Sequence, residues 1–118
     1  AKQFNFEFRA GDSAASPHLQ QAAVVYAGLD GIRKKMKPPQ PTEDDLSVLT
    51  PEELQRRGFR RLPESLSEAL ERLDGCADAR AWFGELFVDV YLKHKQGEID
   101  YLEGKTDAEI YQAYEQVY

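Results

Sequence analysis

The sequence predicts a mainly α-helical chain that begins with one β-strand, at about residues 3–9, and continues with four to five helices. Apolar and polar residues alternate along the first segment, whereas later apolar residues recur every three or four positions. Three later segments also have the pattern of a capping box that starts a helix. We expect a single domain, residues 1–118, because 118 residues with 42% hydrophobic and 31% charged side chains can bury one modest core.

The predicted strand presents two chemically different faces. A period of two places Phe4, Phe6 and Phe8 on one face, and the polar side chains between them, including Glu7 and Arg9, on the other. A strand needs hydrogen bonds to a neighbour, and no second strand is predicted further along. We therefore expect its partner to lie outside this chain, in another subunit or, more simply, in a sheet upstream of residue 1.

The first helix is predicted from Pro17 to about Lys37. Ser16 is a favourable N-cap, and proline suits the first helical position because its missing N–H would have no helical partner there. Apolar residues recur at helical spacing, and Gly28 and Gly31 would let another backbone approach closely. We expect this helix to be central to the core.

Residues 38–49 are predicted to form a flexible loop, because three prolines and an acidic run do not sustain a helix. Helices should then begin at three capping boxes, which are residues 50–53, 65–68 and 106–109. The helix that follows the second box should stop at Gly75. Between the second and third boxes, we expect one longer helix from Trp82 to Glu103.

Composition and charge argue against several classes of protein. A net charge of −6 disfavours a surface for nucleic acid, because phosphate contacts need clustered cations. No apolar run predicts a membrane span or a secretory signal, so no membrane association is expected. The single cysteine, Cys76, cannot form an internal disulfide, and a cytoplasmic location is the default expectation.

The histidines, the cysteine and the basic runs give little indication of a site. His18 and His94 have no second ligand at metal-binding spacing, so we expect ordinary helical residues. We expect a structural role for Cys76. The basic runs, residues 33–37 and 56–61, are interpreted as solvated helix ends, where cations complement the helix dipole, rather than as anion-binding surfaces.

Four separated motifs resemble segments of the glutamine synthetase family. The first is Phe-Glu-Phe-Arg at residues 6–9, followed by Asp12 and Ser-Pro-His-Leu at 16–19; the second is Ala-Gly-Leu-Asp-Gly-Ile at 27–32. They are similar to the family's Glu-x-Arg, Asp, Asn-Pro-Tyr-Leu and Ala-Gly-Leu-x-Gly-Ile. Residues 62–70 resemble its Leu-Pro-x-Ser-Leu-x-Glu-Ala-Leu segment, and residues 91–98 its Tyr-x-x-x-Lys-x-x-Glu helix. The resemblance runs from about Phe4 to the terminus and implies a C-terminal piece of an α+β catalytic domain.

Three positions depart from the family pattern. Ser16 stands where the family has asparagine and His18 where it has tyrosine, which leaves open whether this loop holds substrate or subunit contacts. Ser47 falls where many bacterial relatives carry a tyrosine that is adenylylated. Since serine cannot be that site, we do not expect this mode of regulation.

The resemblance implies an ATP-dependent ligase that phosphorylates the side-chain carboxylate of glutamate and lets ammonia or another amine displace phosphate. Glu7 would coordinate Mg²⁺ or Mn²⁺ on the nucleotide side. Arg9 would be both substrate-binding and catalytic, because it would contact the glutamate carboxylate and stabilise the transferring phosphoryl group. No ATP-binding residue is assigned in this chain. Without the resemblance, the two side chains are interpreted as members of a cross-strand salt bridge on a solvated face.

Most of the active site implied by the resemblance lies outside this chain. We therefore expect the chain alone to be inactive and to bind neither ATP nor metal tightly, because phosphoryl transfer depends on positioning and charge stabilisation by many groups. The complete enzyme would form a ring-shaped homo-oligomer with active sites between subunits. The alternative is a non-catalytic helical interaction or structural module that has kept the family fold. The amine acceptor is not specified by these residues.

Overall fold

The computed structural model describes residues 3, 5, 7–12, 14–38, 40–115 and 117. Regular structure in this part of the chain is helical, which confirms the mainly α prediction. A short 3₁₀ helix spans Leu46–Val48, and the α-helices are α1 (Pro17–Arg33), α2 (Pro51–Arg56), α3 (Leu66–Asp74), α4 (Ala77–Phe83), α5 (Glu85–Leu102) and α6 (Asp107–Glu115). There are thus more helices than the four to five predicted. None of them combines the length and apolar character that a membrane-spanning helix needs.

The predicted strand at residues 3–9 is wrong, because the described residues of that segment belong to no strand. Phe4 and Phe6, on which most of the predicted apolar face depended, lie outside the described residues. Alternating side chains permit a strand but do not stabilise one, since the ladder hydrogen bonds must come from a second strand. The described part of the chain contains no strand that could supply them.

The three predicted capping boxes all begin helices. The hydroxyls of Thr50 and Ser65 each accept a hydrogen bond from the N–H three residues later, at 3.2 and 3.1 Å. At α6 the box is reciprocal: Thr106 Oγ1 accepts from the Glu109 N–H at 3.5 Å, and Glu109 Oε2 accepts from the Thr106 N–H at 2.8 Å. The predicted stop of α3 at Gly75 is also confirmed.

Helix α1 begins at Pro17 as predicted but ends at Arg33, short of the predicted end. The backbone turns at Lys35, where φ is 51°, and the Met36 N–H donates to the Gly31 carbonyl at 2.9 Å. Such a bond, reaching back five residues, terminates a helix. The expectation that α1 is central to the core is wrong for this chain by itself, because no residue of α1 is buried within it.

The predicted long helix from Trp82 to Glu103 is also wrong, because the chain breaks at Gly84 into α4 and α5. Gly84 has φ 87° and ψ 145°, a backbone region that residues with a Cβ avoid. Its N–H ends α4 by donating to the Arg80 carbonyl at 2.8 Å, and its carbonyl accepts from the Val88 N–H at 3.1 Å. One glycine therefore ends one helix and starts the next.

We expect Gly84→Ala to destabilise the chain by about 1–3 kcal/mol, because alanine would be held in a strained backbone conformation. Gly97→Ala is the matched control. Gly97 lies within α5, and a Cβ there meets no atom within 4 Å, so alanine should stabilise by about 0.5–1 kcal/mol. Urea unfolding of the two variants measures whether the free energy of unfolding falls for Gly84→Ala and rises for Gly97→Ala. An unchanged free energy of unfolding for Gly84→Ala would contradict the positive φ at the junction of α4 and α5.

The apolar core is small and centred on α5, which packs against α3 and α4. Val88 of α5 is the most buried side chain, at 2% exposed. The other buried apolar residues among those described are Leu54, Leu70 and Ala79. The buried residues thus come from α2 through α5, and none of those described comes from α1 or α6.

Arg80 ties together the three helices around the break. Its guanidinium forms ion pairs with Asp74, with Glu85 at 2.6 Å and with Asp89 at 2.8 Å. Hydrogen bonds to the carboxylates of Asp89, Glu85 and Asp74 raise the pKa of Arg80, which favours its charged form. The end of α3, α4 and the first turns of α5 are therefore held by one cation.

Helix α1 is attached to α4 by aromatic and ionic contacts. The Tyr26 ring stacks on Trp82 with centroids 5.9 Å apart and meets Phe83 edge-on at 5.6 Å. Lys34, just past the end of α1, forms an ion pair with Asp78 at 2.9 Å. These contacts fix which side of α1 faces the rest of the chain.

The chain exposes far more surface than a compact monomer of its size. Its accessible surface is 10489 Å², whereas a folded monomer of 13.4 kDa exposes about 6,500 Å². The radius of gyration is 17.3 Å, against about 13.5 Å for a compact domain of this length. The chain as a whole is therefore less compact than an isolated domain of its length.

Candidate functional site

The structure brings the two predicted site residues, Glu7 and Arg9, into direct contact. Arg9 Nε lies 2.9 Å from Glu7 Oε1, and Arg9 Nη2 donates to Glu7 Oε2 at 3.0 Å. This is a bidentate pair in which one edge of the guanidinium meets both carboxylate oxygens. The pair is open to solvent, since the Glu7 and Arg9 side chains are 70% and 82% exposed.

The described residues do not form a metal site by themselves. Among them, no three His, Cys, Asp or Glu side chains lie close enough together to hold a metal ion. A divalent cation of the magnesium type takes about six oxygen ligands, and Glu7 supplies one carboxylate, which Arg9 already occupies. The pair can offer one metal ligand and one anion-binding group, and nothing more.

A turn at Asp12 connects this pair to α1. Asp12 Oδ1 accepts from the Ala14 N–H at 2.8 Å, and the Asp12 carbonyl accepts from the Ala15 N–H at 3.1 Å. Ser16 precedes α1 as predicted, but its side chain makes no capping hydrogen bond. His18 is exposed in the first turn of α1. The departures from the family pattern at Ser16 and His18 therefore lie on an open surface of this chain.

Hydrogen bonds from Arg61 and to Asp45 hold the segment around Ser47. Ser47 donates both its N–H and its hydroxyl to Asp45 Oδ1, at 2.9 and 2.6 Å, and these bonds lower the pKa of the Asp45 carboxyl. Arg61 Nη2 donates to the Ser47 and Leu49 carbonyls at 3.4 and 3.3 Å. The basic run 56–61 is thus partly used to hold the preceding loop. The flexibility of residues 38–49 stays a prediction.

A second polar cluster, which we did not predict, joins α5 to α6. Glu98 accepts hydrogen bonds from Lys95 and from the Tyr114 hydroxyl, both at 2.6 Å. The spacing of three residues between Lys95 and Glu98 could have indicated their pairing. No sequence signal connects them to Tyr114, which recurs with Ile110, Ala113 and Val117 at the spacing of an apolar helix face. The cluster borders a groove of about 510 Å³ between the two helices.

This cluster should make stability depend on pH. The hydrogen bonds from Lys95 and then Tyr114 lower the pKa of Glu98. A carboxylate with a lowered folded-state pKa contributes stability that is present above its unfolded value, about 4.3, and is lost as pH falls through the folded value. We therefore expect the Tm difference between wild type and Glu98→Gln to shrink between about pH 5 and pH 3. Parallel Tm curves across that range would contradict this.

The remaining candidates, two histidines and one cysteine, form no metal site among the described residues. His94 is exposed on α5, and among the described residues neither it nor His18 belongs to a cluster that could hold a metal ion. Cys76 is half-buried at the start of α4, where its N–H donates to the Leu73 carbonyl at 3.1 Å. These observations add no further site residue.

Comparison with known proteins places the chain in a family. The family model for the glutamine synthetase catalytic domain matches residues 1–114. The chain is 34% identical over 99 residues to the glutamine synthetase of Methanocaldococcus jannaschii, covering 84% of this chain and 22% of that protein. It is 36% identical over 104 residues to that of Aquifex aeolicus, covering 86% and 22%. With the protein of Streptomyces viridochromogenes, the identity is 46% over 68 residues, which is 58% of this chain and 14% of that one.

The chain spans about a fifth of the length of the first two of these relatives. The match nevertheless includes the Glu7–Arg9 pair, the turn at Asp12, α1 and the helix that carries Lys95 and Glu98. Because the family model covers nearly all of the sequence, the chain belongs to the glutamine synthetase catalytic-domain family.

Proposed function

We propose that this chain is the C-terminal portion of an ATP-dependent ligase that joins glutamate to ammonia or another amine through γ-glutamyl phosphate. The observation that carries the proposal is the contact between Glu7 and Arg9, at the family's Glu-x-Arg positions, within a match over residues 1–114. Residues 1–118 would act as one unit of the catalytic domain. The complete enzyme would assemble as a ring-shaped homo-oligomer, as the family resemblance implies.

Glu7 would supply one oxygen ligand to Mg²⁺ or Mn²⁺ at the phosphates of ATP, and the other ligands would come from outside this chain. In the present structure both oxygens of Glu7 face Arg9. A divalent cation at Glu7 would repel the guanidinium, so Arg9 would release its bidentate edge. That edge fits a carboxylate or phosphoryl group equally well, which is the anion recognition that the reaction needs.

The first test measures phosphate release by the complete protein, purified from its source cell. We expect phosphate release that requires ATP, glutamate and an amine together, and we expect none from the purified 118-residue chain, which lacks the other groups of the site. Activity of the 118-residue chain alone would show that the active site does not need groups from outside this chain, which would contradict the proposal. A folded complete protein without this activity would favour a non-catalytic structural module.

The role of Glu7 is tested by metal titration of the complete protein. Glu7→Gln should weaken Mn²⁺ binding, measured by calorimetry, because a neutral amide replaces a carboxylate ligand. Glu43→Gln is the matched control, since it removes the same charge from another exposed glutamate. Equal Mn²⁺ affinity of the two variants would exclude Glu7 as a ligand. Ammonia is the default acceptor, and rates with different amines would identify the one used.

A further inference from the structure

Helix α1 carries an apolar face that the described part of the chain leaves open. Val25, Leu29 and Ile32 are 59%, 44% and 75% exposed, and their spacing places them on one side of the helix. Gly28 lies on the same side. A Cβ built on Gly28 meets no atom within 4 Å.

This face points away from the contacts that hold α1 in place. Tyr26 packs on Trp82 and Phe83, and Lys34 pairs with Asp78. Both attachments lie on the side of α1 that faces α4. The open face is therefore presented outward on a helix whose orientation is already fixed.

Gly28 lies among the exposed apolar side chains of this face, and its missing Cβ leaves space for another group. Glycine in a helix interior is less stable than alanine, because it has more conformational freedom to lose. In this chain alone, alanine at position 28 would meet nothing. The open space at Gly28 thus fits the close approach of another main chain or of small side chains.

The amount of exposed surface indicates the kind of partner. The chain exposes about 4,000 Å² more than a compact monomer of its mass. A standard protein–protein interface buries only about 800 Å² on each partner. An excess several times larger is typical of a domain core that has been divided, and the chain spans about a fifth of the length of its relatives.

Positively charged side chains next to the open face indicate which charge the partner surface carries. Arg33, Lys35 and Lys37 are exposed at the end of α1, and among the described residues none of them pairs with a carboxylate. The partner surface should therefore be apolar along α1 and acidic beyond its end.

We propose that the face formed by Val25, Gly28, Leu29 and Ile32 packs against the rest of the same catalytic domain in the complete polypeptide. That partner would bring main chain or small residues against Gly28 and carboxylates against the cations that follow α1. The inference rests on the proposed function in one respect: it takes the complete protein to be longer than this chain.

The test compares two glycine variants in the complete protein. Gly28→Ala should lower Tm, because the added Cβ meets the packed partner. Gly97→Ala, the control in α5, should raise Tm by about 1 °C through helix propensity alone, since the complete protein would be several times longer than this chain. A rise in Tm for Gly28→Ala similar to that of the control would overturn the proposal. Ligase activity of the wild type is measured separately, so a failure of the proposed function is distinguishable from a failure of this packing.

A labelling experiment covers the case in which Gly28→Ala does not fold. Ile32→Cys, in a Cys76→Ala background of the complete protein, should react with a maleimide at least 100-fold more slowly than the same protein in denaturant. Glu43→Cys is the exposed control. Rapid labelling at position 32 would overturn the proposal. Protection that disappears on dilution would assign the face to contacts between copies and would also overturn it.

Discussion

Replacing Arg9 by lysine in the complete protein is expected to lower the kcat of the proposed amide formation by about 10²- to 10³-fold, while leaving the fold unchanged. Lysine keeps the positive charge but not the planar fork that binds two oxygens at once. In the structure this fork engages Glu7 through Nε and Nη2, at 2.9 and 3.0 Å. The same edge would bind the substrate carboxylate or the transferring phosphoryl group.

The exposure of Arg9 makes this prediction separable from a loss of stability. At 82% exposed, the side chain packs against little of the chain, so Tm should change little. Steady-state kinetics at saturating ATP and varied glutamate would show a reduced kcat. Arg60→Lys, at another exposed arginine, is the control and should keep wild-type kinetics. An Arg9→Lys enzyme within threefold of wild type would show that the Glu7–Arg9 pair is only a surface ion pair.

Helix starts were predictable because their chemistry is local. Each capping box lies within four consecutive residues, so the donor and acceptor at Thr106 and Glu109 are close in any helical conformation. The shared side of Glu7 and Arg9 was predictable for a similar reason, because residues two apart in an extended segment lie on one side. Their pairing with each other, rather than across strands, was not predicted.

The wrong predictions concern features that depend on distant groups. A strand at residues 3–9 needs a second strand, and burial of α1 needs a partner surface; the apolar pattern specifies neither. Gly84 and Gly97 are both glycines inside helical patterns, yet only Gly84 adopts a positive φ. The backbone conformation at Gly84 depends on its neighbours in space, since Arg80 pairs with both Asp74 and Glu85 around the junction of α4 and α5.

The α5–α6 cluster was unpredictable for the same reason. Tyr114 lies sixteen positions beyond Glu98, and its hydroxyl reaches the carboxylate only because α6 folds back on α5. In the sequence, Tyr114 lies at an apolar position of the helix pattern, so nothing indicated that its hydroxyl would bind a carboxylate. Side chains with one apolar part and one polar tip often satisfy both patterns at once.

Leu70→Ala should be the most damaging of the core substitutions in the 118-residue chain, with a loss of about 2–4 kcal/mol in the free energy of unfolding. Leu70 is 8% exposed on α3, at the contact with α5, and it is one of four buried apolar residues among those described. Domains of this size have only about 5–15 kcal/mol of stability, so the loss is a large fraction of the total.

Two controls separate a cavity from a general effect of substitution. Leu70→Met keeps the volume and should lose less than about 1.5 kcal/mol. Leu86→Ala removes the same atoms from a side chain that is 77% exposed on α5, and it should lose less than about 0.5 kcal/mol in this chain. Urea unfolding gives all three values. Equal losses at Leu70 and Leu86 would mean that α3 and α5 do not pack in solution as they do in this structure. In the complete protein, by contrast, a large loss at Leu86 would indicate that the rest of the domain also covers this side of α5.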